Sequence, residues 1–210
     1  MCGCGPTSSG KTELIRRILR NHDILINKQR RLKVLWAYGV WHSLYSIPVA
    51  EDVSITYIQG LPGEKHLKTD TPDVMVVDDL MNEMGNDTKI ANLFTRDSHH
   101  MGISVIFVVQ NLFHKAPVMR TISLNAHYIL LTKNPRDKSQ IQHLARQLYP
   151  TKPALLVEAY QDATAGDYGY IKLDMTQKTP EKYRLQARIT REEIPHLEGV
   201  EFAPIVYMSK

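Results

Sequence analysis

Apolar residues along most of the chain follow one of two spacings. Short runs that are continuously apolar, or that alternate with polar residues, predict β-strands over residues 33–38, 53–59, 74–77, 103–109 and 127–132. Apolar residues three and four positions apart predict helices over residues 13–21, 87–94 and 137–148. Strands that alternate with helices favour an α/β fold with a mostly parallel sheet flanked by helices.

The last part of the chain has a different pattern. Residues 168–173 and 183–189 alternate between apolar and polar positions, and the polar stretch between them contains Pro180. This pattern predicts a C-terminal β-strand pair added to the main sheet. A length of 210 residues suits one domain with a substantial core, so we expect residues 1–210 to form a single domain.

A glycine-rich stretch with the spacing of a phosphate-binding loop precedes the first predicted helix. Its glycines let successive backbone N–H groups turn towards a phosphate, and the helix N-terminus that follows adds a positive dipole end. We expect Lys11 to neutralise the β- and γ-phosphate oxygens of ATP and the Thr12 hydroxyl to bind Mg²⁺. The whole stretch is expected to contact the nucleotide: Gly5, Pro6, Thr7, Ser8, Ser9, Gly10, Lys11 and Thr12. The alternative is a chance match in a glycine-rich turn.

Two acids, Asp78 and Asp79, follow the predicted strand over residues 74–77. A buried strand that ends in acids is typical of the Walker B motif of ATPases, in which Asp78 would hold Mg²⁺ through its water shell. Asp79 would orient or deprotonate the attacking water. Because aspartate also caps helices well, an N-cap pair is the alternative interpretation. The phosphate-binding loop in the same chain favours the catalytic one.

Two further side chains complete the predicted catalytic set. Gln110 follows the strand over residues 103–109, where its amide can reach the γ-phosphate and respond to hydrolysis. Arg96 is our preferred candidate for the arginine that faces the γ-phosphate, which in ring ATPases can come from a neighbouring subunit. Arg120 and Arg136 are the other candidates. The alternatives are an ordinary loop glutamine and surface arginines.

Composition and charge limit the compartments and partners that are expected for this chain. The chain is 43% hydrophobic and 23% charged, and its net charge of +4 permits nucleic-acid contact without requiring it. Its two cysteines, Cys2 and Cys4, fit a reducing compartment. A motif that begins at Gly5 leaves no room for a signal peptide, and the longest apolar run is too short to span a membrane. We therefore expect a soluble intracellular protein with no membrane partner.

Basic residues concentrate around the first predicted helix and the segment after it. They are Arg16, Arg17, Arg20, Lys28, Arg30, Arg31 and Lys33. Such a region can bind DNA phosphates without sequence preference. It can equally be a solvated helix face and loop. The sequence leaves both interpretations open.

A series of longer motifs points to a more specific relationship. In order along the chain, they occupy residues 5–12, 76–81, 93–100, 110–113, 120–128 and 133–137. Together they resemble the packaging ATPases of Polinton (Maverick) elements and adintovirus-like DNA viruses, a group within the FtsK–HerA superfamily of P-loop NTPases. The resemblance extends from Gly5 to about residue 189.

This resemblance implies a motor that hydrolyses ATP with Mg²⁺ and moves double-stranded DNA, without sequence specificity, into a preformed capsid. It implies a homo-oligomeric ring and a capsid or portal-type partner. By position, Lys11 and Thr12 would bind phosphate and Mg²⁺, Asp78 and Asp79 would be the Walker B acids, and Gln110 the polar residue after the next strand. Related ATPases often have glutamate where this chain has Asp79, which is one methylene shorter.

The N-terminus departs from the pattern of the family. A phosphate-binding loop normally follows a central buried strand, yet only Met1, Cys2, Gly3 and Cys4 precede Gly5. The first core strand is therefore expected to be short or missing. Two other functions stay open: a small-molecule kinase on the same scaffold, and a truncated, inactive copy that no longer hydrolyses ATP.

Overall fold

One nine-stranded sheet runs through the described part of a computed structural model, which comprises residues 1–68, 70–80, 98–112, 117–194 and 202–208. The strands are β1 (Cys2–Cys4), β2 (Leu32–Tyr38), β3 (Val53–Gln59), β4 (Val74–Asp78), β5 (Ser104–Val109), β6 (Tyr128–Thr132), β7 (Tyr170–Asp174), β8 (Leu185–Ala187) and β9 (Ile205–Tyr207). The helices in these ranges are α1 (Lys11–Arg20), α2 (His22–Leu25), α3 (Glu64–Lys68), α4 (Ser98–Met101), α5 (Pro117–Asn125), α6 (Ser139–Leu148) and α7 (Pro153–Ala163). Short 3₁₀ turns cover Ser43–Ser46, Glu181–Tyr183 and Arg191–Glu193.

The order of strands across the sheet is β3-β2-β4-β5-β1-β6-β7-β8-β9. The first six strands in this order are parallel, and β7, β8 and β9 extend the sheet in antiparallel pairs. Because β1, β4 and β5 are parallel neighbours, their carboxyl ends meet at one end of the sheet, where open α/β folds bind ligands. The expectation of a mostly parallel α/β sheet with a C-terminal strand pair is confirmed, and β9 adds a third antiparallel strand.

Strand β1 is short but present. It has three residues, Cys2–Cys4, and lies between β5 and β6, with which it pairs on its two sides. Met1 extends the ladder: its amine donates to the Val105 carbonyl at 2.7 Å, and its own carbonyl accepts from the Phe107 N–H at 2.9 Å. Of the two possibilities left by the sequence, the structure has the short strand rather than a missing one.

The other predicted core strands agree with the structure to within one residue at each end, and α1 and α6 to within two. The two predicted tail segments correspond to β7 and β8, with ends that differ by at most two residues. The predicted helix over residues 87–94 lies outside the described residues. The sequence pattern does not predict α5, α7 or β9.

Apolar side chains pack on both faces of the sheet. On one face, α1 buries four apolar residues: Leu14, Ile15, Ile18 and Leu19. On the other, α6 and α7 pack against the strands. Strand β4 is therefore covered on both faces, which explains its uninterrupted apolar sequence. Within the described ranges, no helix has the length and apolar character that a membrane crossing requires.

The basic region around α1 is engaged within the fold. Six of its seven residues contact a carboxylate or carbonyl of this chain: Arg16, Arg17, Arg20, Lys28, Arg30 and Lys33. Asp73, at the start of β4, lies 3.3 Å from Lys28 and 2.9 Å from Arg30. These contacts describe a salt-bridged helix face and loop, and exposed ion pairs of this kind can exchange their partners for DNA phosphates.

Candidate nucleotide-binding site

The loop over residues 5–12, whose last two residues are the first two of α1, follows β1 at the end of the sheet where β4 and β5 also finish. Ser8 and Gly10 have left-handed backbones, with φ of 63° and 84°. Helix α1 begins immediately afterwards at Lys11. The first N–H groups of a helix have no partner within it, so this geometry directs backbone donors and the positive end of the helix dipole into the loop. The arrangement suits an anion.

The beginning of this loop is held against the sheet by contacts between Thr132 and the residues around Gly5. Thr132 ends β6, and its hydroxyl donates to the carbonyl of Cys4 at 3.2 Å and lies 2.7 Å from the hydroxyl of Ser9. Gly5 leaves space for that hydroxyl, because a Cβ at position 5 would lie 1.8 Å from Thr132 Oγ1. The sequence pattern identifies Gly5 but not Thr132, since their contact depends on β1 and β6 being neighbours.

The change Gly5→Ala is expected to lower the free energy of unfolding by about 1–3 kcal/mol, because the added methyl group overpacks the site. Urea unfolding followed by circular dichroism measures this directly. Gly3→Ala, two residues earlier in β1, is the matched control. There the nearest atoms to a new Cβ are at 3.6 and 3.7 Å, which is ordinary contact. Equal stability of the two variants would contradict the close approach of Gly5 to Thr132.

Lys11 provides a positive charge inside the loop. Its ammonium donates to the carbonyls of Gly5 and Pro6, both at 2.7 Å. Burial lowers the pKa of Lys11, and the carboxylates of Asp78 and Asp79 partly oppose that shift because they favour the charged form. The side chain thus lies over the backbone that would surround a phosphate.

Asp78 ends β4 in a buried position beside the loop. Its Oδ2 accepts hydrogen bonds from the Tyr45 hydroxyl at 2.9 Å and from the Thr12 hydroxyl at 3.3 Å. Burial raises the pKa of the Asp78 carboxyl, while these two hydrogen bonds oppose the shift. Tyr45 comes from the 3₁₀ turn after β2 and was not among the predicted site residues.

The donor set at Thr12 and Asp78 fits Mg²⁺. This ion prefers hard oxygen ligands and binds proteins through one or two carboxylates while keeping several waters. Here a hydroxyl and a carboxylate from two different elements lie within hydrogen-bonding distance of each other, next to the Lys11 loop. The chain therefore offers the oxygen ligands that a nucleotide-bound Mg²⁺ would need.

Asp79 and Gln110 form a second polar pair, at the adjoining ends of β4 and β5. The Gln110 amide donates to Asp79 Oδ1 at 3.0 Å, and both side chains are exposed. Asp79 has a left-handed backbone with φ of 55°, which aspartate tolerates better than most residues. Gly39 allows this turn, since a Cβ there would lie 2.8 Å from the Asp79 carbonyl oxygen. An exposed carboxylate is thereby held by an amide from the next strand.

These groups share one cavity of about 580 Å³, a volume typical of small-molecule sites. Its walls include the predicted residues Lys11, Thr12, Asp78, Asp79 and Gln110. Aromatic side chains that the sequence did not indicate also line it: Trp41, Tyr45, Tyr168 and Tyr170.

The arginine predictions stay predictions, because such an arginine can come from a neighbouring subunit. Arg96 lies outside the described residues. Neither Arg120 nor Arg136 is among the described residues that line the cavity, where the cations are Lys11 and Arg17. Arg17 lies 3.6 Å from Glu13 and 3.9 Å from Glu193, so it is already engaged within the chain.

No protein-family model matches this chain, and no curated protein matches its sequence. Solved structures of the genome packaging NTPase B204 from Sulfolobus turreted icosahedral virus 2 are similar in fold. Its complex with AMP has a TM-score of 0.54 at 13% sequence identity, over 89% of this chain and 94% of that chain. Its complex with ATP-gammaS has a TM-score of 0.50 at 16% identity, over 85% and 93% of the two chains. The chain described here has the fold of a P-loop NTPase.

Proposed function

We propose that this chain hydrolyses ATP and uses the energy to move double-stranded DNA into a viral capsid. It would act as a homo-oligomeric ring with a capsid or portal-type partner. The observation that carries the ATPase proposal is the convergence of Lys11, Thr12, Asp78, Asp79 and Gln110 on one cavity. The packaging role is supported by the motif series that resembles the Polinton group, and by a fold similar to that of a viral genome packaging NTPase.

In this proposal the loop over residues 5–12 binds the triphosphate. Its backbone N–H groups and the N-terminus of α1 meet the phosphate oxygens, and Lys11 exchanges the carbonyls of Gly5 and Pro6 for the β and γ oxygens. Thr12 and Asp78, whose oxygens lie 3.3 Å apart, would hold Mg²⁺, and this ion would supply positive charge to the phosphates. Tyr45 keeps the Asp78 carboxylate in place through its hydrogen bond.

The Asp79–Gln110 pair is suited to activating water. Gln110 orients the Asp79 carboxylate, and Asp79 accepts the proton as water attacks the γ-phosphorus and the bond to the ADP oxygen breaks. Both side chains are exposed at the cavity wall, where water reaches them. A small-molecule kinase would instead transfer the phosphoryl group to a bound acceptor.

A cation opposite the γ-phosphate would come from the neighbouring subunit, and Arg96 stays our prediction for it. DNA would be gripped through its phosphates, without reading of sequence.

The proposal is tested by measuring whether the γ-phosphate of ATP is transferred to water or to another acceptor. Purified protein incubated with ATP and Mg²⁺ is expected to release inorganic phosphate and ADP in equal amounts with no added acceptor. Phosphate release and ADP formation are measured in parallel. ADP formation that requires an added nucleoside or other acceptor would favour the kinase. The absence of any turnover would favour the inactive copy.

A further inference from the structure

The wall of the cavity away from Asp79 and Gln110 carries an exposed aromatic ring with no role in the chemistry described above. Tyr168 is 68% exposed, lines the cavity, and precedes β7. Its ring packs over the loop: a Cβ on Gly10 would lie 3.0 Å from Tyr168 Cδ1. The ring therefore adjoins the N-terminus of α1, where the phosphates are expected to bind.

The segment that presents this ring is held firmly. The Lys133 N–H donates to the Gly169 carbonyl at 3.0 Å, and the Lys133 ammonium donates to the carbonyls of Ala165 and Gly166, both at 3.3 Å. Gly169 is closely packed, since a Cβ there would lie 2.5 Å from the carbonyl oxygen of Ala163. Tyr168 itself has a left-handed backbone, with φ of 55°. Such a conformation is uncommon for a bulky residue and persists where the surroundings impose it.

Not every tyrosine at the cavity is exposed as Tyr168 is. Tyr170 also borders the cavity but is only 3% exposed. Its hydroxyl donates to Glu193 at 2.6 Å and accepts from the Ile189 N–H at 3.1 Å, so Tyr170 serves the packing of the C-terminal strands. Tyr168, by contrast, lines the cavity with most of its side chain exposed.

The strand order decides which part of a nucleotide reaches this ring. Asp79 and Gln110, which would act at the γ-phosphate, follow β4 and β5 on one side of β1. Tyr168 precedes β7, and β6 and β7 lie on the other side of β1. A triphosphate laid along the loop with its γ end towards Asp79 directs its nucleoside end towards Tyr168.

We propose that Tyr168 binds the nucleotide by stacking on its base. The proposal rests on the nucleoside triphosphate site proposed above and adds a residue that contributes affinity without touching phosphate. Every base has a π-face, so stacking on an aromatic ring favours binding of the base and tolerates its identity. Packing of the ring over Gly10 positions it at the N-terminus of α1, beside the proposed phosphate site.

The test compares two ligands by isothermal titration calorimetry: ATP, which has a base, and inorganic tripolyphosphate, which has none. In Tyr168→Ala, the affinity for ATP is expected to fall by roughly 5- to 100-fold, as for loss of one stacked base. The affinity for tripolyphosphate is expected to stay within a factor of two. Tyr168→Phe retains the ring and should bind ATP like the unaltered chain. Tyr183→Ala removes another exposed tyrosine, outside the cavity lining, and is the matched control.

The outcomes separate this inference from the proposed function. If the unaltered chain binds ATP and Tyr168→Ala binds it equally well, stacking is wrong while the nucleotide site stands. If Tyr168→Ala loses both ligands equally, the ring only supports the loop over residues 5–12, and the inference is again overturned. If the unaltered chain binds neither ligand, the nucleotide site itself is wrong, and the stacking role fails with it.

Discussion

Replacing Asp79 with asparagine is expected to lower the rate of ATP hydrolysis by about 10²- to 10⁴-fold, the usual contribution of a positioned general base. Asparagine cannot accept the proton of the attacking water at neutral pH. It keeps the size of the side chain and tolerates the left-handed backbone at this position, where φ is 55°. The fold and ATP binding should therefore persist. Single-turnover hydrolysis and ATP titration of the same preparation measure the two effects separately.

Gln110→Ala is the companion to this experiment. The Gln110 amide holds Asp79 Oδ1 at 3.0 Å, so its loss should slow hydrolysis through the same carboxylate. If the two residues act as a unit, the double variant will be little slower than Asp79→Asn alone. A fully active Asp79→Asn would show that another group activates water. Multiplied defects in the double variant would show that the pair does not act together.

Lys11→Ala is expected to lower hydrolysis by at least about 10²- to 10³-fold, the cost of removing one group that stabilises developing charge. It should also weaken ATP binding, unlike Asp79→Asn. The ammonium already lies over the loop, donating to Gly5 and Pro6 at 2.7 Å. No other lysine lines the cavity among the described residues, so no nearby ammonium can substitute for it.

Lys138→Ala is the control for this loss of charge. Lys138 is exposed, precedes α6 and does not line the cavity. The Lys138→Ala variant loses the same type of side chain and the same charge as Lys11→Ala, and it should leave both hydrolysis and ATP binding unchanged. Full activity of Lys11→Ala, with Lys138→Ala also active, would place the phosphates elsewhere than the loop over residues 5–12.

Much of the candidate site could be predicted because its residues are fixed by local spacing. The loop residues are consecutive in the chain, and Asp78, Asp79 and Gln110 follow strands whose apolar runs are clear. Once β4 and β5 are parallel neighbours, their ends must lie side by side. The contact between Asp79 and Gln110 is therefore a consequence of the strand order, of which the sequence predicted only that both residues follow strands of a mostly parallel sheet.

The residues that were not predicted reach the site through packing between distant elements. Tyr45 is 33 positions from Asp78, and Thr132 is 128 positions from the Cys4 carbonyl that it contacts. Tyr45 lies in an aromatic cluster with Trp36 and stacks on Tyr57, with ring centroids 5.0 Å apart. In a sequence such a tyrosine is indistinguishable from an ordinary core residue.

Helix α7 and strand β9 were not predicted for physical reasons of their own. In α7, Leu156 and Ala159 are buried, while Leu155 and Val157 also pack against the core, so apolar residues occur on several sides of the helix and blur its period. Strand β9 has only three residues, which is too short for alternation to be recognised. Its place in the sheet depends on pairing with β8.

Charge was the least informative part of the sequence. The basic residues around α1 form a cluster in the chain, yet their carboxylate partners are spread over positions as far apart as Glu13 and Glu193. A cluster of like charges in a sequence does not show whether its partners belong to another molecule or to the same fold.

Hydrolysis of ATP with and without long double-stranded DNA tests the central claim most directly. The account predicts that DNA raises the steady rate of phosphate release several-fold, whatever the base sequence, and that this stimulation falls as salt rises because the contacts are to phosphates. Lys11→Ala should show no stimulated hydrolysis. Phosphate release that DNA leaves unchanged at low salt, from protein that hydrolyses ATP by itself, would contradict the DNA motor and leave only an ATPase.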